Sequence, residues 1–155
     1  MIGILLSCFL SITSAMVQVP TNDPELRVKQ FNLEKGGLAI QGYDATSYFS
    51  GKPEKGSKEN AVNYKGVLYY FASVQNKELF KANPAKYEPA YGGWCAYAMG
   101  VKGEKVEVDA ANYKIIDGKV YLFYKTFYSN TINDWNDNEA SLHKKADQNW
   151  GRIYK

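Results

Sequence analysis

An α+β fold is what this sequence predicts, and three observations predict it. Two pairs of β-prone runs are each joined by a two-residue turn with glycine, Lys65-Gly66 and Asp117-Gly118. Helical stretches lie between and after them without the regular strand–helix alternation of a parallel sheet. Thirteen Tyr, seven Phe and three Trp in 155 residues favour strands and a ring-rich core. The expected architecture is a small antiparallel sheet built from two hairpins with helices packed against it.

The elements follow in order. Residues 1–15 carry no charged side chain. That apolar run matches a signal-peptide core and is too short to span a bilayer. Thr13-Ser14-Ala15 supplies small residues for cleavage, so residues 1–15 read as a signal peptide. Leu5-Leu6-Ser7-Cys8 also loosely resembles a lipoprotein lipobox, which would leave a lipid anchor on Cys8. Either way the chain is expected to be exported, periplasmic or secreted, and not a transmembrane protein. Residues 16–36 hold two prolines and little periodicity. They read as an N-terminal tether with a turn of helix. A single domain is expected over residues 37–155.

Within it, residues 38–40 and 46–49 read as short extended pieces. Residues 61–64 and 67–71 flank Lys65-Gly66 as the first hairpin. Ser73 caps a helix from Val74 to Ala82, with Val74, Leu79 and Phe80 toward the sheet. Asn83-Pro84 ends it and opens a short turn to Tyr87. Residues 94–99 suit a short helix with Gly100 as its exit. Asp117-Gly118, between residues 113–116 and 119–124, is the strongest hairpin signal in the chain, because both turn residues need positive φ. Residues 126–150 are helical in texture, broken near Asn136-Asp137-Asn138. Leu142, Ala146 and Trp150 give the last helix a buried stripe.

Nineteen basic and sixteen acidic residues leave a net charge of +3, with no dense basic run. Nucleic-acid binding has no support in that balance. With Cys8 removed, Cys95 is unpaired, and an exported protein with one thiol raises the question of its use. Cys95 and Met99 stand at i, i+4, which on a helix puts both sulfurs on one face. Thiolate plus thioether is a soft set suited to Cu(I). His143, the only histidine, would complete three ligands. Cys95 and Met99 are also ordinary core residues. Cys95 with His143 is alternatively a nucleophile–base pair, though no orienting carboxylate or oxyanion hole is recognisable. Asp44 and Asp109 read as turn-stabilising aspartates. The tyrosines Tyr43, Tyr48, Tyr69, Tyr70, Tyr87, Tyr91 and Tyr97 are candidates to line a pocket.

Tyr64-x-Gly66-x-x-Tyr69-Tyr70-Phe71-x-Ser73, then Phe80, then Asn83-Pro84-x-x-Tyr87, resembles the YHS domain. Gln41-Gly42-Tyr43-Asp44, the run from Tyr91 to Ala98 and Ala146-Asp147-x-Asn149-Trp150 resemble the exported, stand-alone branch of that family. The resemblance implies a YHS-like α+β fold and metal binding, through cysteines near the domain start and around a Phe-Cys-Ser segment. Here Ala72 stands where that cysteine would be and Asn76 where a following one would be. Asp44-Ala45-Thr46 carries no thiol, and no histidine lies between residues 38 and 98. Three functions are therefore carried forward. The first is a non-catalytic envelope protein binding a soft metal such as copper through Cys95, Met99 and His143. The second is a small-ligand- or protein-binding module with a structural Cys95. The third is a thiol-dependent enzyme. They differ in whether Cys95 is accessible, near His143, or buried among apolar side chains.

Overall fold

A computed structural model describes residues 23–155. The expected signal peptide and Cys8 lie outside the described residues. The chain runs α1 (Pro24–Gln30), β1 (Leu33–Glu34), β2 (Leu38–Ala39), β3 (Ser57–Tyr64), β4 (Val67–Phe71), α2 (Val74–Ala82), α3 (Pro84–Tyr87), α4 (Ala96–Val101), β5 (Asp109–Ile116), β6 (Lys119–Phe123), α5 (Thr131–Asp137) and α6 (Glu139–Ile153). The α+β class is as expected. Among the described residues no helix is long and apolar enough to cross a membrane.

The two hairpins close as their turns require. Lys65 and Asp117 sit at φ 50° and 51°, each followed by a glycine at positive φ. They do not share a sheet. β1, β2, β4 and β3 form one sheet in that order, with β2 parallel to β4, while β5 and β6 pair alone. The reason lies in β6, which is buried on both faces. Its Val120 and Leu122 enter one core with Tyr69, Phe71, Phe80 and Cys95. Its Tyr121 and Phe123 enter a second core with Met99, Trp135, Leu142 and Ala146. The second hairpin is thus a wall between two cores. The polar groups at the outer end of β5 are met by side chains instead of a strand. Gln41 donates to the Val108 carbonyl (2.8 Å) and accepts from the Ala110 N–H (3.2 Å), and Tyr48 donates to the Ala110 carbonyl.

Three local expectations are corrected. Residues 47–50 form a 3-10 turn, not a strand. The Asp44 carboxylate captures the Thr46 N–H and hydroxyl, and Ser47 donates to the Asp44 carbonyl, which curls the chain. On α2 only Phe80 is buried; Val74 and Leu79 face outward. Residues 23–36 are not a tether. Asp23 caps α1, Arg27 is buried, and β1 pairs with β2. No periodicity revealed this, because the segment is held by one buried side chain and a two-residue strand.

A buried ion pair ties α1 to the core. The Arg27 guanidinium forms a double hydrogen bond with the Glu88 carboxylate, and the Tyr69 hydroxyl donates to the same carboxylate (2.7 Å). Burial disfavours the Arg27 charge, yet the Glu88 hydrogen bonds and charge hold its pKa above the ordinary value. At the other end, α6 lies close on α4. A Cβ at Gly100 would stand 2.7 Å from the Leu142 carbonyl oxygen, so only glycine permits this approach. Asn149 on α6 then donates to the Met99 carbonyl at the end of α4 (2.8 Å).

Two outcomes are expected. Gly100→Ala should push α6 outward and destabilise the protein by about 1–3 kcal/mol, read as a lower urea midpoint. Burial, reinforced by Glu88, raises the Tyr69 pKa well above 10, and burial also raises that of Tyr48. Unfolded tyrosines ionise near pH 10, so these rings' contribution is intact below that pH and is lost as pH rises through the folded values. The urea midpoint should fall above pH 10, and less steeply in Tyr69→Phe.

Candidate functional site

Cys95 is the N-cap of α4, not a residue of its first turn. It is fully buried. Its Sγ accepts the Tyr124 N–H (3.3 Å) and lies 3.6 Å from the Thr131 hydroxyl. Met99 is one turn on, also fully buried, but packs into the second core. His143 is on α6. Its Nε2 is 2.8 Å from the Tyr121 hydroxyl and 3.7 Å from Asp147, and its ring meets Tyr121 and Trp135. The structure does not join these three. Cys95 and Met99 enter different cores, and among the described residues no hydrogen bond links Cys95 to His143. A donor set for a soft metal needs sulfurs open to one point, and the packing here encloses them. Among the described residues no group of three His, Cys, Asp or Glu is placed to hold a metal ion.

The positions at which the resemblance puts cysteines do converge, on a carboxylate. Asp44 is fully buried, and its Oδ2 accepts from the Ala72 N–H (2.9 Å) and the Asn76 amide (2.7 Å). Its Oδ1 takes the two Thr46 donors. Four hydrogen bonds use up the carboxylate and pin the 47–50 turn to the end of β4 and the start of α2. These residues form a fully hydrogen-bonded polar joint rather than an open ligand set. Asp109 likewise accepts from the Ala111 N–H, a local turn contact.

The arrangement with the most chemistry lies elsewhere. A cleft of about 300 Å³ opens between α1, the Ala90–Gly93 turn, the start of β6 and α6. Its centre is Tyr91, held at φ 54° although it carries a side chain. Such a conformation is costly and persists only where the surroundings enforce it. Here the enforcement is visible. The Tyr91 hydroxyl donates to Asp147 (2.8 Å), and its ring packs edge-on to Tyr121 (5.6 Å) and Trp150 (6.4 Å). Gly92 follows with Phe31 directly against it; a Cβ there would meet the Phe31 ring at 2.7 Å. Trp150 stacks on Tyr154 at 5.2 Å.

Four charged groups line the cleft: Arg27, Glu88, Lys119 and Asp147. Arg27 and Glu88 neutralise each other. Asp147 holds the Tyr91 proton. Burial and the Asp147 hydrogen bond push the Tyr91 pKa far up, and burial pushes that of Tyr121 up to about 12. Both phenols therefore act as neutral hydrogen-bonding groups. Lys119 donates to the Ala85 carbonyl (2.8 Å), and burial lowers its pKa against the weaker pull of Glu88. An apolar, ring-lined hollow with a few convergent polar groups is what small-molecule binding requires.

Of the seven tyrosines proposed as pocket residues, Tyr91 alone lines this cleft; Tyr48 and Tyr69 are core residues bonded inward. Arg27, Glu88 and Lys119 were missed, since nothing local marks one charge among many. Signals for Tyr91, Gly92, Asp147 and Trp150 were present, in the run from Tyr91 to Ala98 and in Ala146-Asp147-x-Asn149-Trp150.

No curated protein and no solved structure matches this chain. The family model of the YHS domain matches residues 46–91. That stretch holds β3, β4, α2 and α3, includes Asp44's partners Thr46, Ala72 and Asn76, and ends on Tyr91. Arg27, Lys119, Asp147 and Trp150, the other sides of the cleft, lie outside it. Over residues 46–91, then, the chain contains a YHS domain.

Proposed function

We propose that this chain is a non-catalytic binding module of the cell envelope, and that the aromatic cleft around Tyr91 is its ligand site. The observation that carries the reading is the strained Tyr91, locked by Asp147 and flanked by Tyr121 and Trp150 from separate elements. Strain of this kind is retained where a side chain must be held in one place. The buried Cys95, with its sulfur already engaged, supports the structural role that this reading assigns to it. The charge-free first fifteen residues support export.

The rival is copper binding through Cys95, Met99 and His143, which the YHS match keeps in view. Ligand at the cleft and metal at the sulfurs use different residues, so one set of variants separates them. A neutral aromatic probe, 1-naphthalenemethanol, should bind the wild-type protein, followed by the probe's own fluorescence. Tyr91→Ala and Trp150→Leu should each weaken it about tenfold or more, which is about 1.4 kcal/mol. Cys95→Ser should bind it unchanged. A probe that binds all variants alike would sink the cleft assignment, provided thermal melts show the variants folded.

The matching measurement for the rival is anaerobic Cu(I) titration against a chromogenic chelator. No competition with the chelator is expected. Tight one-to-one binding that disappears in Cys95→Ser and Met99→Leu would instead install the copper reading.

A further inference from the structure

Resting on the cleft as the ligand site, we infer that its ligand is a small aromatic acid, with Lys119 receiving the carboxylate and the rings around Tyr91 and Trp150 receiving the body. The inference comes from a tally of what each charged group in the cleft already holds. Glu88 accepts from the two terminal nitrogens of Arg27 and from the Tyr69 hydroxyl. Arg27 has spent its guanidinium on Glu88 and the Lys65 carbonyl, and it covers the Phe31 face at 4.6 Å. Asp147 holds the Tyr91 hydroxyl on one oxygen and faces His143 with the other. Lys119 remains. Its ammonium has three donors, of which one goes to the Ala85 carbonyl, and among the described residues it forms no ion pair.

A partly buried cation without a counter-ion is the unfinished part of this site. An anion placed beside it would gain a charge-assisted contact that none of the described carboxylates gives it. A cationic ligand fits worse. The ring faces that would cage it are engaged, Phe31 by Arg27 and Trp150 by Tyr154. The cleft's volume of about 300 Å³ has room for a bicyclic molecule. Tyr121 and Trp150 stand edge-on to Tyr91, with ring centroids 5.6 and 6.4 Å away, and an aromatic body can join this cluster in the same edge-to-face manner.

Three probes of one shape test this: 1-naphthoate, 1-naphthalenemethanol and 1-naphthylmethylammonium, titrated into the full chain at low salt. Wild type should prefer the acid over the alcohol by about tenfold, one charge-assisted contact, and bind the ammonium most weakly. Lys119→Met, which keeps the aliphatic stem, should erase the preference for the acid and leave alcohol binding intact. Lys119→Arg should retain part of it. Binding of the acid should also weaken as pH rises through the lysine's range, while that of the alcohol should not. Equal binding of acid and alcohol by wild type, or tightest binding of the ammonium, overturns the assignment to Lys119 but leaves the cleft as a ligand site. Failure of all three probes overturns the cleft reading as well.

Discussion

Two opposite charges meet in the interior where α1 crosses the sheet. Arg27 and Glu88 are both buried, and Tyr69 from the central strand β4 completes the carboxylate's shell. A buried pair of this kind gains little over apolar packing, but loss of either partner leaves a bare charge at a cost of about 3–5 kcal/mol. The pair therefore acts as a constraint on position. It holds α1, β4 and the segment after α3 in one relation. Pro89 and the strained Tyr91 come directly after Glu88, so the geometry of the cleft follows from that joint. The alternation of β6 between two cores then brings Lys119 and Tyr121 to the same place.

The same logic applies where the family resemblance puts metal-binding cysteines. Where cysteines would converge, Asp44, Thr46, Ala72 and Asn76 converge instead, and every oxygen of the carboxylate is occupied. At this joint the chain has a hydrogen-bonded clamp at the positions where the resemblance implies ligands. Cys95 plays a comparable part at the other sheet. Its backbone bridges to Leu122, and its sulfur takes the Tyr124 N–H beyond the end of β6. A thiol used this way packs a strand edge that would otherwise hold an unmet donor.

Much of the fold was legible residue by residue. Lys65-Gly66 and Asp117-Gly118 announced their hairpins because a two-residue turn demands positive φ. Ser73 and Asn83-Pro84 bounded α2 and α3 because caps and imino acids act within one turn of helix. Leu142 and Ala146 marked the buried stripe of α6. Each of these is a local rule, satisfied by neighbours in sequence. The 47–50 turn was misread because a single carboxylate, not propensity, curls it. The assignment of both hairpins to one sheet failed because alternation along β6 looks the same whether its second face meets a sheet or helices.

The sequence by itself determined the α+β class, the turns, the helix ends and the YHS resemblance, since short-range sterics and capping settle these. It also contained the motifs that hold Tyr91, Asp147 and Trp150, with no stated relation between them. Only the tertiary structure decided that Arg27 is inside and paired, that Cys95 and Met99 belong to different cores, and that Lys119 is the cation of the cleft that forms no ion pair among the described residues. Those facts depend on contacts such as that between Arg27 and Glu88, sixty-one positions apart. The energy of a charge is set by what surrounds it in space, and no window along the chain includes those surroundings.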